Sequence, residues 1–142
     1  MAGYSGTPLP KKLGMKPGQR VFLWNAPRNF TTLLGPATAE LSLTRQLTGT
    51  EPFDIVMLFV TTREDLAKFF LKLAARLSPS GGLWVAWPKK ASGVATDLTE
   101  DVIREIGLPS GLVDNKVCAI DEVWSGLRFV IRLQDRPKRK NR

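Results

Sequence analysis

The residues best suited to chemistry sit just beyond three apolar runs. Asn25 and Arg28 follow the run that begins at Arg20, Arg63 follows the run Phe53–Val60, and Lys89 and Lys90 follow Leu83–Trp87. The next loop adds the hydroxyls of Ser92 and Thr96, among small residues that leave backbone N–H groups accessible. Cationic side chains with hydroxyl and N–H donors are what an anion requires, and a helix starting near Thr99 adds partial positive charge at its first turn. The expected site is therefore one for an anionic small molecule, built from Asn25, Arg28, Arg63, Lys89, Lys90, Ser92 and Thr96. A connecting loop with solvated lysines is the plainer reading. The loop is no P-loop, because the G-x-x-x-x-G-K-[ST] spacing does not occur in it.

A second constellation is Asp114, Asn115, Lys116, Asp121, Glu122 and Trp124. Carboxylates beside Asn and Lys suit cation binding or acid–base work, yet strand alternation sends neighbouring side chains to opposite faces. A turn with charge pairing accounts for the same residues. Asp97 reads as a helix cap; it, Asp114 and Asp121 are the candidate bases if the chain is an enzyme. The chain has no histidine, which excludes His-dependent serine or cysteine triads and most zinc sites. No metal site and no catalytic residue are predicted. Its one cysteine, Cys118, has Val117, Ala119 and Ile120 as neighbours and reads as a buried thiol.

Positioning these residues requires strands that end together. Arg20–Asn25 and Phe53–Val60 are predicted strands, and the unbroken apolar character of the second implies cover on both faces. Thr61-Thr62-Arg63-Glu64 reads as a capping box for a helix whose stripe is Leu66, Phe69, Phe70, Leu73, Ala74 and Leu77. Ser78-Pro79-Ser80-Gly81-Gly82 is predicted to stop that helix and turn the chain into the strand Leu83–Trp87, giving a right-handed strand–helix–strand unit over 53–87. A second helix is predicted over 99–106, capped through Asp97 and Glu100 and stopped at Gly107. Two closing strands, 117–123 and 127–133, flank a turn at Trp124-Ser125-Gly126, with Trp124 exposed at its tip as a contact residue. Trp24, Trp84 and Trp87 belong in or near the core. Residues 41–47 are too close to the next strand for a parallel crossover, so they either run antiparallel to it or form no strand.

These elements predict one α/β domain, a three-layer Rossmann-like fold with a mixed, mostly parallel sheet and a C-terminal antiparallel hairpin. Residues 1–18, with one helical turn near Leu9–Leu13, form an irregular N-terminal arm, 19–134 the domain, and 135–142 a basic disordered tail. At 142 residues such a domain removes roughly two-thirds of its extended surface from water. The formal charge is +8, but Arg136, Lys138, Arg139, Lys140 and Arg142 supply five of it, leaving +3 for everything before them. The body is only mildly basic, and the tail is the one candidate contact for nucleic acid, through salt-dependent phosphate attraction. No apolar run is long enough to span a bilayer and no secretory pattern opens the chain, so the expected location is the cytoplasm, away from membranes.

Leu13-Gly14-Met15-Lys16-Pro17-Gly18, Phe53-Asp54-Ile55-Val56, Leu77-Ser78-Pro79-Ser80-Gly81-Gly82-Leu83-Trp84 and the terminal hairpin together resemble a shortened class I S-adenosylmethionine-dependent methyltransferase over residues 13–133. The resemblance implies an acidic, glycine-rich D/E-x-G-x-G turn after the first strand and an acid after the second to hold ribose. Here Leu23–Phe30 carries neither glycine nor acid, and Leu47-Thr48-Gly49-Thr50 stands at the second position. Residues 86–100 and 113–129 resemble a bacterial family of small proteins without an assigned function. The expectation is a non-catalytic binding or regulatory module on a degenerate methyltransferase-like scaffold, holding no cofactor and taking an anionic ligand or a protein partner. A divergent S-adenosylmethionine-dependent methyltransferase is the alternative, and a nucleic-acid-associated protein acting through the tail the second alternative.

Overall fold

The computed structural model describes residues 7–137. Its elements are α1 (Leu9–Leu13), β1 (Arg20–Trp24), α2 (Phe30–Leu34), β2 (Ser42–Thr44), β3 (Phe53–Phe59), α3 (Arg63–Ala74), β4 (Leu77–Pro88), α4 (Glu100–Gly107), β5 (Leu112–Ala119) and β6 (Trp124–Ile131). They form the expected α/β fold: one mixed six-stranded sheet in the order β2-β1-β3-β4-β6-β5. Strands β2, β1, β3 and β4 are mutually parallel, and β6 runs antiparallel between β4 and β5.

The central strands are apolar on both faces because both faces are covered. On one side Val56, Leu58, Leu83 and Val85 pack under Leu66, Phe70 and Leu73 of α3 and Ile103 of α4. On the other, Val21, Leu23, Ile55, Met57 and Trp84 meet Leu13 and Met15 of the N-terminal segment and Phe30 and Leu34 of α2. At about 1.5–3 kcal/mol for each large apolar side chain taken from water, these two clusters supply most of the driving force. The described part of the predicted arm therefore belongs to the core, with Leu13 at 0% and Met15 at 8% exposure.

Four local expectations change. Residues 42–44 form a strand parallel to β1 and not paired with β3. Because β2 is only three residues long, the link 45–52 has little height to recover before β3, so no long crossover is needed. Ser78–Gly82 is strand, not turn: β4 starts at Leu77, opposite Phe53, and bulges until Gly82 pairs with Ile55. The glycines there serve close approach, since a Cβ on Gly81 would lie 2.7 Å from the Asp54 carbonyl and one on Gly82 would run into the Arg128 guanidinium. The hairpin tip is Asp121-Glu122-Val123, where Asp121 Oδ1 accepts the N–H groups of Val123 and Trp124, both at 2.8 Å. Trp124 is thus within β6, half-buried and T-shaped against Phe59, ring centroids 5.1 Å apart.

The caps shift, by one residue at α3 and by two at α4. Thr62 caps α3 by accepting from Asp65 N, and Thr99 caps α4 by accepting from Val102 N. Gly107 lies inside α4 with ordinary helical backbone (φ −81°). Its lack of a side chain is a packing requirement, because an added Cβ would sit 2.6 Å from the buried Phe129 ring. Gly107→Ala is expected to lower unfolding stability by about 1–3 kcal/mol through overpacking, measured by denaturant titration; an unchanged midpoint would show that Phe129 moves freely.

Candidate functional site at the carboxyl edge of the sheet

Parallel, in-register pairing brings the ends of β1, β3 and β4 to one edge, with Trp24 beside Leu58 and Phe59 beside Ala86. Asn25, Arg28, Arg63, Lys89, Lys90, Ser92 and Thr96 therefore all lie at that edge, beyond the strand ends from which crevices in open α/β sheets are built. Their engagement differs. Arg63 faces Glu105 at 3.6 Å, while Arg28, Lys89 and Lys90 have no ion-pair partner among the described residues. Lys90 and Thr96 line a cavity of about 340 Å³ with Trp87, Asp97 and Glu100; Asn25, Arg28, Arg63 and Lys89 do not line it.

The two hydroxyls are structural. Ser92 Oγ donates to the Lys89 carbonyl at 2.7 Å and accepts from Val94 N. Thr96 Oγ1 donates to the Thr61 carbonyl at 2.6 Å and accepts from Leu98 N. Each hydroxyl has one proton, and each proton is already given to a backbone oxygen. The loop after β4 is thus held closed on itself and on the end of β3. Asp97 completes that closure from the other side: its Oδ1 accepts the backbone N–H of Arg63 at 2.8 Å, one of the first-turn donors that α3 cannot satisfy internally.

The second constellation is dispersed as the strand geometry requires. Asp114 Oδ2 accepts from Arg104 Nε at 2.9 Å, and Arg104 also meets Glu100 at 2.6 Å. The Asp114 hydrogen bond first, and Glu100 next, hold the Arg104 guanidinium above its usual value. Asp121 forms the hairpin turn, and Lys116 Nζ donates to the Lys12 carbonyl at 2.8 Å. Cys118 is buried; burial pushes its thiol up, with Lys12 and Lys116 pulling the other way. No group of three His, Cys, Asp or Glu residues able to hold a metal occurs among the described residues.

One feature of this edge had no sequence signal as a glycine motif. Asn25, the first residue after β1, has φ +58°, and among the described residues it is the one non-glycine with positive φ. Asparagine is one of the few side chains that tolerates the left-handed region, so the tight turn after β1 is kept without a glycine. Beside it, Arg45 at the end of β2 donates to the Ala26 carbonyl at 3.2 Å.

The fold so built is that of the methyltransferase-like α/β proteins. No protein-family model and no curated protein matches the chain, so the resemblance of 86–100 and 113–129 to a bacterial family finds no support. Solved structures do match. A SAM-dependent methyltransferase from Aquifex aeolicus aligns at TM-score 0.61 and 15% identity over 86% of this chain and 87% of its own. An O-methyltransferase of neocarzinostatin biosynthesis, in complex with S-adenosylmethionine and 2-hydroxy-5-methyl naphthoic acid, aligns at TM-score 0.61 and 9% identity over 80% of this chain. The match spans only 49% of that enzyme, about half its length. Magnesium protoporphyrin IX methyltransferase from Synechocystis, with bound SAM, aligns at 0.58 and 14% identity, covering 82% of this chain and 71% of its own. At such identities the likeness concerns the fold.

Against such a cofactor, the residues present fit in backbone and not in charge. The left-handed turn at Asn25 is in place. No carboxylate occurs in the link 25–29 after β1. The acid in the link after β2, Glu51, pairs with Arg20 at 3.3 Å, and Arg20 opens β1 at the opposite edge.

Asp97→Ala is expected to cost about 1 kcal/mol in thermal or chemical unfolding, as loss of a helix-start acceptor does, with Asp97→Asn recovering most of it. Equal stability of all three proteins would show that the Arg63 N–H does not depend on Asp97.

Proposed function

We propose that this chain is a divergent S-adenosylmethionine-dependent methyltransferase, with its ligand crevice beyond the carboxyl ends of β1 and β3. The observation that carries the reading is the left-handed turn at Asn25, at the end of the first strand of a sheet that aligns with those of methyltransferases over most of its length. When bound, the cofactor supplies an electrophilic methyl group. The chain's own part is to seat it: the Asn25–Pro27 backbone forms the floor, and Arg28, exposed and without an ion-pair partner among the described residues, offers a cation for a carboxylate group. Asp97, Asp114 and Asp121 are committed to Arg63 N, Arg104 and the hairpin turn. They are therefore not assigned as bases, and the acceptor is expected to arrive already nucleophilic.

A second reading has its own observation. Arg28, Lys89 and Lys90 are unpaired cations at one edge, which suits a non-catalytic module that holds an anion there. The tail residues Lys138, Arg139, Lys140 and Arg142, proposed to contact nucleic acid, lie outside the described residues. Arg136 lies within them and its Nε donates to the Ile131 carbonyl at 3.1 Å. No helix among the described residues is long and apolar enough to cross a membrane.

Calorimetric titration with S-adenosylmethionine and S-adenosylhomocysteine decides between the readings. Saturable binding is expected, retained in Asn25→Gly and weakened about tenfold in Asn25→Val, because a β-branched residue pays about 1–2 kcal/mol in the left-handed region. A flat titration of the unmodified protein sinks the methyltransferase reading. Stabilisation by phosphorylated metabolites that is lost in Lys89→Ala and Lys90→Ala would then support the anion module.

A further inference from the structure

The densest convergence of positive charge is not at the carboxyl edge. It lies on the α1 side of the sheet, where α1 meets β6 and β5. Two adjoining cavities occupy this place, of about 400 and 510 Å³, sharing Lys12 and Lys116. Lys16 and Arg128 line the first and Lys11 the second, and among the described residues no Asp or Glu lines either. Ser80 and Gln19 add neutral polar groups to the first.

These charges are arranged, not scattered. Lys116 and Arg128 are directly opposite each other on antiparallel β5 and β6. Like charges in that relation disfavour the pairing by themselves. Arg128 is half-buried over Gly82, and the one hydrogen bond of its side chain among the described residues is a long 3.4 Å contact to Asn115 Oδ1. Burial first, and the field of Arg136 next, hold its guanidinium below the usual value. The neighbouring ammonium groups are pinned in place: Lys116 Nζ on the Lys12 carbonyl at 2.8 Å, and Lys12 Nζ on the Ala119 carbonyl at 2.9 Å. A partly desolvated guanidinium without a carboxylate, facing fixed ammonium groups in a concave site, is a cost that a bound polyanion removes.

We propose that this cleft binds a small ligand carrying a chain of phosphate groups, recognised through the phosphates. Charge spread over two adjoining cavities calls for more than one phosphate. Among the described residues no aromatic ring lines either cavity, so none of them stacks a base, unlike the aromatic platforms that hold single-stranded nucleic acid. The site is independent of the proposed methyl-donor crevice, which lies at the other edge of β1.

Thermal shift and calorimetry on the full chain, with sodium tripolyphosphate, ATP and orthophosphate at low salt, test it. Tripolyphosphate and ATP are expected to bind with similar affinity and orthophosphate about tenfold or more weakly. Lys16→Glu and Lys116→Glu, both exposed positions, should each weaken tripolyphosphate binding about tenfold or more, as loss of a charged hydrogen bond does. Lys89→Ala and Lys90→Ala should leave it unchanged, and Lys16→Glu should leave any S-adenosylmethionine titration unchanged. Lys16→Gln/Lys116→Gln repeats the test if a charge reversal disturbs the circular dichroism spectrum. The proposal is overturned by no response to tripolyphosphate, by an undiminished response in both charge-reversed variants, or by binding that disappears only when residues 138–142 are deleted. A single-stranded oligonucleotide that binds where tripolyphosphate does not overturns it as well.

Discussion

Trp84 joins the two halves of this molecule. Its ring is completely buried at the centre of β4, and its indole N–H, which has no water to turn to, donates to the Leu13 carbonyl at 3.1 Å. That bond ties α1 to the sheet. On the other side Gly126 of β6 makes way for the ring, since a Cβ there would lie 2.9 Å from it. A buried N–H must find an acceptor or cost about 1–3 kcal/mol, so the position of the N-terminal segment is set by the centre of the sheet. With α1 fixed, one wall of the cationic cleft is fixed too, and with β6 drawn against Trp84 so is its floor.

The two edges of the sheet use polar groups in opposite ways. At the carboxyl edge the hydroxyls of Ser92 and Thr96 and the carboxylate of Asp97 close loops on the backbone, so the residues that look most like ligands are spent on architecture. What remains open there is a turn, shaped by the left-handed Asn25, and three cations without an ion-pair partner among the described residues. On the α1 side of β5 and β6 the space between α1 and the strands is lined by lysines and an arginine, with no acid among the described residues there. A modest excess of +3 outside the tail thus becomes a strong local field because the carboxylates pair elsewhere, Asp114 and Glu100 with Arg104 and Glu51 with Arg20.

Local chemistry explains which expectations shifted. Thr61 and Thr62 offer equivalent hydroxyls, and in the structure Thr62, in extended conformation, is the cap that accepts from Asp65 N. Ser78–Gly82 has the composition of a turn, yet its glycines are required by the Asp54 carbonyl and by Arg128, which come from β3 and β6. Asp121 and Trp124-Ser125-Gly126 both carry turn residues, and the pairing of Ala119 with Ser125 settles the tip at Asp121. Only in the second case was the choice made by partners distant in the chain.

The amino-acid sequence by itself determined the layered α/β fold, the parallel centre, the buried Cys118 and the gathering of Asn25, Arg28, Arg63, Lys89 and Lys90 at one edge, because continuous apolar runs and a 3.6-residue stripe admit few packings. The tertiary structure alone decided that β2 is parallel, that Asp97 serves α3, that Asn25 adopts the left-handed turn, and that Lys12, Lys16, Lys116 and Arg128 share a cleft. The physical reason is sequence separation: Lys12 and Arg128 come from opposite ends of the chain, and no local period relates them until the sheet places α1 beside β6.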